Sequence, residues 1–182
     1  MIKNYLYRTF SEWLMIFFLL GLPGCGKTTL GKKFAHVVGL PFFDLDHLIE
    51  AGEGSKITEL FSIHGEHKFR EIETRYLQNI QNLQHGVVAT GGGTPCFGNN
   101  MSLINQLGIS IFLDMSPKEI AHRLSENGIA KRPILKGKTR EEITLTLEYL
   151  RESRLAYYLQ SHLTITNPEI KFNESFLAGF QK

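Results

Sequence analysis

Apolar residues along the chain follow two kinds of pattern. Short runs at 16–20, 41–46, 86–90, 109–115 and 163–166 are apolar or β-branched without polar alternation, as strands covered on both faces require. Between them the apolar positions recur every three or four residues. The stretch 29–38 reads as a helix stopped by Gly39. Phe69, Ile72, Tyr76, Ile80 and Leu83 form an apolar stripe along one long helix. Ser116-Pro117 opens another helix, with Pro117 at its first position and Glu119 suited to its positive end. Thr139-x-x-Glu142 is a capping-box pattern ahead of the helix that carries Ile143 to Leu155. Strands and helices alternating in this way predict an α/β fold with a parallel sheet, whose ligands bind at the carboxyl ends of the strands.

The first run leads directly into chemistry. After residues 16–20 comes Gly21-x-x-x-x-Gly26-Lys27-Thr28, followed by a helical pattern. This is the P-loop spacing in its required context, strand before and helix after. Its glycines let successive backbone N–H groups curl around a phosphate chain, and the helix points its positive end at the same anion. Lys27 suits the outer phosphates, and the Thr28 hydroxyl suits Mg²⁺. Nucleotide binding is therefore expected, although the loop alone does not name the reaction.

Composition narrows the rest. The chain has 182 residues, 42% of them hydrophobic, enough for one domain with a real core. A net charge of +2 with interleaved signs predicts neither nucleic-acid binding nor attachment to an anionic membrane surface. Cys25 and Cys96 form no disulfide framework or metal spacing, which fits a reducing cytoplasm. His64 and His67 lack companion ligands and read as surface residues. Early basic residues, an apolar stretch at 14–22 and Leu-Pro-Gly-Cys imitate a lipoprotein signal. The P-loop needs the same residues, and Glu12 interrupts the basic-then-apolar order. Residues 1–14 are expected to be an extension on a domain spanning 15–182, either a start set too early or a short helix packed on the outside.

Three further groups suggest what the nucleotide is for. Phe42-Phe43-Asp44-Leu45-Asp46 places two carboxylates at a strand end beside the P-loop. One can hold a Mg²⁺ water while the other receives a hydroxyl proton; alternatively they form a turn, with Asp46 capping a helix at 47–51. Thr90 is followed by Gly91, Gly92 and Gly93, which allow close backbone approach, or a plain turn. Arg70, with Glu73 as a possible orienting partner, Arg132 in a polar stretch at 125–139 resembling a mobile lid, and Arg154 are forked donors that could grip a carboxylate or a moving phosphoryl group. Any one of them alone is more commonly a surface residue.

In sequence order, GLPGCGKTT, FFDLD, GEHKFREIE, TGGG, KRPIL and RESRLAYY resemble the shikimate kinase family across nearly all of residues 15–170. The resemblance implies a three-layer P-loop kinase fold, its five-stranded parallel sheet in the order 2-3-1-4-5. It places a substrate-binding region at about 45–80 and a lid at about 123–139. The implied reaction moves the γ-phosphoryl group of ATP to the 3-hydroxyl of shikimate, with Mg²⁺, in aromatic biosynthesis. Gly24, Cys25, Gly26, Lys27, Thr28 and Thr29 would cradle the phosphates, and Thr28 and Asp44 would hold the metal. Asp46 would bind the acceptor hydroxyls and take the proton, and Arg132 would close with the lid on ATP and the moving group. Arg70, Arg154 and the Gly91–Gly93 triplet would hold the acceptor, with Arg151 a neighbour or salt-bridge partner. Arg123 and Pro168 align loosely with places that sandwich adenine. A cytoplasmic monomer is expected. The alternatives are a gluconate kinase-like hydroxy-acid kinase, a GTPase-type switch, for which no Asn-Lys-x-Asp motif is present, and a nucleotide-binding module without turnover.

Overall fold

The computed structural model describes residues 15–130 and 132–166. Residues 1–14, Lys131 and 167–182 lie outside the described residues, and with them the expected extension and Pro168. The sheet has five parallel strands in the order β2-β3-β1-β4-β5: β1 (Met15–Leu20), β2 (Phe42–Asp44), β3 (His85–Ala89), β4 (Ile109–Leu113) and β5 (Leu163–Ile165). β1 is central, and Phe17, Phe18, Leu19 and Leu20 have no exposed surface, which is why its sequence shows no alternation. The helices are α1 (Lys27–Val38), α2 (Leu45–Glu53), α3 (Ile57–Asn79), α4 (Asn100–Leu107), α5 (Pro117–Arg123), α6 (Glu126–Ala130) and α7 (Arg140–Tyr158). Edge-on packing of Phe17 on Phe34 joins β1 to α1, and Phe112 against Tyr158 joins β4 to α7.

Several boundaries move for physical reasons. The second strand stops at Asp44, because the Asp44 side chain caps α2 by accepting from the Asp46 N–H at 3.2 Å. Asp44 is thus the cap, not Asp46, which sits in the helix's first turn. α1 begins two residues before the expected start, on Gly26 in the left-handed conformation. The long helix is interrupted at Gly65 (φ 73°, ψ 172°) and gives way after Asn79 to a 3-10 turn, Ile80–Asn82, so Leu83 falls beyond it. The capping boxes at Ser116–Glu119 and Thr139–Glu142 are both formed. The polar stretch expected as a lid contains α6 and a 3-10 turn, Pro133–Leu135, with Leu135 fully buried. Among the described residues no helix is long and apolar enough to cross a membrane.

Gly108 shows how closely the sheet is built. A β-carbon there would lie 2.1 Å from the Ile16 carbonyl oxygen, a backbone atom that cannot turn aside. Gly108→Ala is expected to cost about 1–3 kcal/mol by overpacking. A melting temperature unchanged from the parent would refute that.

Candidate active site

The P-loop joins β1 to α1, and three of its glycines, Gly21, Gly24 and Gly26, take positive φ. Only Gly26 is free of close neighbours; a β-carbon on Gly24 would strike Ile120 at 2.8 Å, and one on Gly21 the Leu113 carbonyl at 2.8 Å. Cys25 is buried, and Thr29 faces outward from the first turn of α1. The Lys27 ammonium, with 9% exposure, donates to the Gly21 and Leu22 carbonyls at 2.8 and 3.0 Å. A charge buried to this degree needs acceptors, and the loop backbone supplies them.

Thr28 donates its hydroxyl to Asp44 Oδ2 at 2.7 Å, joining the loop to the end of β2. These are hard oxygen donors, the kind Mg²⁺ takes from a protein while keeping waters and phosphate oxygens. The described residues contain no group of three or more His, Cys, Asp or Glu side chains able to hold a metal. The donor set at the end of β2 is therefore these two oxygens, Thr28 Oγ1 and the Asp44 carboxylate. Two residues on, Asp46 is half-buried overall, but its carboxyl lies deep. Burial first, then the Asp44 and Glu73 carboxylates, push its pKa up to about 6, against the opposing pull of Lys27.

The glycine triplet is the meeting point. A β-carbon on Gly91 would lie 2.6 Å from Glu73 Oε1, 2.8 Å from Thr94 Oγ1 and 3.1 Å from Asp46 Oδ1. On Gly92 it would lie 3.2 Å from Arg154 Nη1 and 3.1 Å from Pro23 of the P-loop. On Gly93 it would lie 2.6 Å from both terminal nitrogens of Arg70. The triplet therefore brings the P-loop, Asp46 and two arginines around one strand end, and a side chain on Gly91 or Gly93 would displace those site groups.

Each arginine is held differently. Arg70 pairs with buried Glu73 and, at 3.1 Å, with exposed Glu66, and lies over the rings of Phe61 and Phe69. Burial opposes the Arg70 charge, but Glu73 and Glu66 outweigh it and raise its pKa. Arg151 forms a two-pronged pair with Asp114 at the end of β4, while Arg154 turns to Gly92. Arg132 donates to the Gly128 carbonyl; burial lowers its pKa, opposed by Cys25 and Asp46, which are its electrostatic neighbours. Arg123 donates to Met115 Sδ at 3.8 Å and is an electrostatic neighbour of Glu119.

Sequence reasoning missed Thr94 and the Tyr158 hydroxyl, which donates to the Gly92 carbonyl at 2.6 Å. It also left Glu73 as a possible partner, whereas Glu73 is 1% exposed. A signal was present: Glu73 stands four residues after buried Phe69, a charge on the apolar face three residues from Arg70. Cys96 sits near both arginines, yet burial pushes its thiol up to about 11. His64 and His67 are exposed, as expected.

Comparison with known proteins gives one consistent answer. The shikimate kinase family model matches residues 23–177. The shikimate kinase of Bacteroides fragilis is 42% identical over 147 residues, covering 80% of each chain. That of Parabacteroides distasonis is 39% identical over 147 residues, 81% of this chain and 84% of its own. The crystal structure of shikimate kinase from Bacteroides thetaiotaomicron superposes with a TM-score of 0.76 at 34% identity, covering 92% of this chain and 94% of that one. Shikimate kinase from Acinetobacter baumannii in complex with shikimate gives 0.78 at 29% identity, covering 96% and 93%. With the P-loop, the strand-end carboxylates and the arginines gathered on one sheet edge, these matches mean that the chain belongs to the shikimate kinase family.

Proposed function

We propose that the chain transfers the γ-phosphoryl group of ATP to the 3-hydroxyl of shikimate, producing shikimate 3-phosphate and ADP. The observation that carries this reading is the convergence of Asp46, Arg70, Arg154 and the P-loop residue Pro23 on the glycine triplet. Such a cleft can grip a carboxylate at one end and present a hydroxyl to a base at the other.

In this reading the N–H groups of 24–29 and the Lys27 ammonium hold the nucleotide phosphates. Thr28 and Asp44 would hold Mg²⁺, directly or through water, and the bound ion would neutralise phosphate charge. Arg70 and Arg154, with backbone contact from Gly91–Gly93, clamp the acceptor carboxylate. The acceptor oxygen forms its bond to the γ-phosphorus as the bond to the β–γ bridging oxygen breaks, and Asp46 accepts the hydroxyl proton. Arg132 neutralises charge on the moving group and closes the site against water. We further read the working domain as residues 15–182, with β1 beginning at Met15, and the protein as a monomeric cytoplasmic enzyme. Its unpaired Cys25 and Cys96 suit a reducing compartment.

The test is ADP release with shikimate, quinate or gluconate as separate acceptors, for the full chain and for one starting at Met15. Release that depends on shikimate, in both chains, is expected. Release that depends on gluconate instead would transfer the assignment to another hydroxy-acid kinase, and an inactive shorter chain would make residues 1–14 part of the domain. A sedimentation coefficient for a species heavier than one 20.7 kDa chain would refute the monomer.

A further inference from the structure

The loop after the glycine triplet contains a threonine whose hydroxyl serves a site carboxylate. Thr94 has no exposed surface, and its Oγ1 donates to Glu73 Oε1 at 2.6 Å, across 21 residues of sequence. Threonines inside α7 behave differently: Thr144 and Thr146 donate to the carbonyls four residues back on their own helix. Thr94 is itself anchored, because Asn100, 1% exposed at the start of α4, donates its Nδ2 to the Thr94 carbonyl at 2.9 Å. The result is a continuous chain of contacts from Asn100 through Thr94 and Glu73 to Arg70.

The two oxygens of Glu73 have separate partners. Oε2 holds the Arg70 guanidinium and Oε1 accepts from Thr94. On the Oε1 side the carboxylate faces Asp46, since Oε1 and Asp46 Oδ1 lie 2.6 and 3.1 Å from the same point, a β-carbon on Gly91. Like charges at that separation repel in a poorly solvated cleft. The Thr94 hydroxyl is the donor that holds Oε1 against this repulsion. Without it, the carboxylate gains by rotating both oxygens toward Arg70, and the guanidinium shifts from its place over Gly93.

We propose that Thr94 is a positioning residue of the acceptor site: its hydroxyl locks the Glu73 carboxylate, and through it sets the plane in which Arg70 meets the acceptor carboxylate. This rests on the reading that Arg70 binds that carboxylate. Thr94 touches neither substrate nor nucleotide in this scheme, so its effect belongs to acceptor affinity and not to ATP binding.

Thr94→Val keeps the shape and removes the donor, while Thr94→Ser keeps the donor. Thr94→Val is expected to raise KM for shikimate about tenfold, the scale of a lost hydrogen bond to a charged group, with KM for ATP unchanged. Thr94→Ser should restore the parent KM. In an Arg70→Met background Thr94→Val should add less than about twofold, because the two residues act as one unit. An Arg70→Met variant with unchanged KM for shikimate would overturn the assignment of Arg70 and the inference with it. If Arg70→Met raises that KM but Thr94→Val does not, or if the two effects multiply independently, the inference alone is overturned. A serine variant as impaired as the valine variant, or an equal rise in KM for ATP, would reduce Thr94 to a packing residue.

Discussion

Asp46→Asn is expected to lose turnover by about a thousandfold, within the usual range for a removed acid–base group, while the folded protein becomes more stable. Both effects have one origin. Burial and the neighbouring Asp44 and Glu73 carboxylates move Asp46 from an ordinary value of 3.8 to about 6. The free protein therefore resists charging this group, by about 2–3 kcal/mol at neutral pH. The direction of the pH dependence follows. Between about pH 4 and 6 the native state binds the Asp46 proton more tightly than the unfolded chain, so this group's contribution to stability is full below pH 4 and is lost as pH rises to 6. Asparagine carries no such penalty. Above pH 6, without nucleotide or magnesium, the variant should melt roughly 4–10 °C higher than the parent, and below pH 4 the two should converge. Turnover runs the other way: a base must be unprotonated, so parent activity with shikimate should fall as pH drops through about 6. A variant that keeps parental kcat would remove Asp46 from proton transfer. One that loses kcat but gains no stability would mean that the carboxylate is not held in an unfavourable setting.

Glu73→Ala should produce the largest loss of stability, about 3–5 kcal/mol, as expected when one member of a buried ion pair is deleted. Its side chain is 2% exposed and that of Arg70 13%, so deletion strands a guanidinium that water reaches poorly. It also takes the acceptor from the buried Thr94 hydroxyl. A fall in melting temperature of roughly 6–15 °C is the expected reading for a chain of this size. Replacing both partners, Glu73→Leu with Arg70→Met, should recover much of that loss, because the stranded guanidinium is then gone. The double variant should still bind shikimate poorly. Calorimetry of the single and double variants decides the matter: equal destabilisation in both would mean that the cost lies in packing and not in the stranded charge.

The two residues differ in how much of their role the sequence carries. Asp46 is legible in FFDLD because the pattern sets it at a strand end beside a P-loop, and charge is expensive there unless used. Glu73 is written on the apolar stripe of α3, but its burial depends on the glycine turn that packs over it from β3. The choice between Arg151 and Arg154 is a similar case. They stand three residues apart on one helix, and their spacing does not distinguish them. The tertiary fold separates them by supplying Asp114, from the end of β4, to Arg151 and leaving Arg154 against Gly92. The boundary at Asp44 depends on a capping hydrogen bond only 3.2 Å long, a local competition between strand and helix that apolar periodicity does not register.

By itself the sequence determined the α/β class, the five strands and the phosphate loop, because these rest on local rules: apolar runs, helical periodicity, capping pairs and glycine spacing. The resemblance of its ordered motifs supplied the strand order and the acceptor. Only the tertiary structure decided which polar groups face one another. Thr94 donates to Glu73 across 21 residues and Tyr158 to Gly92 across 66, and contacts at those separations leave no periodic trace in a chain. They arise because parallel strands return every helix to the same edge of the sheet, where the glycines leave room for side chains distant in sequence to meet.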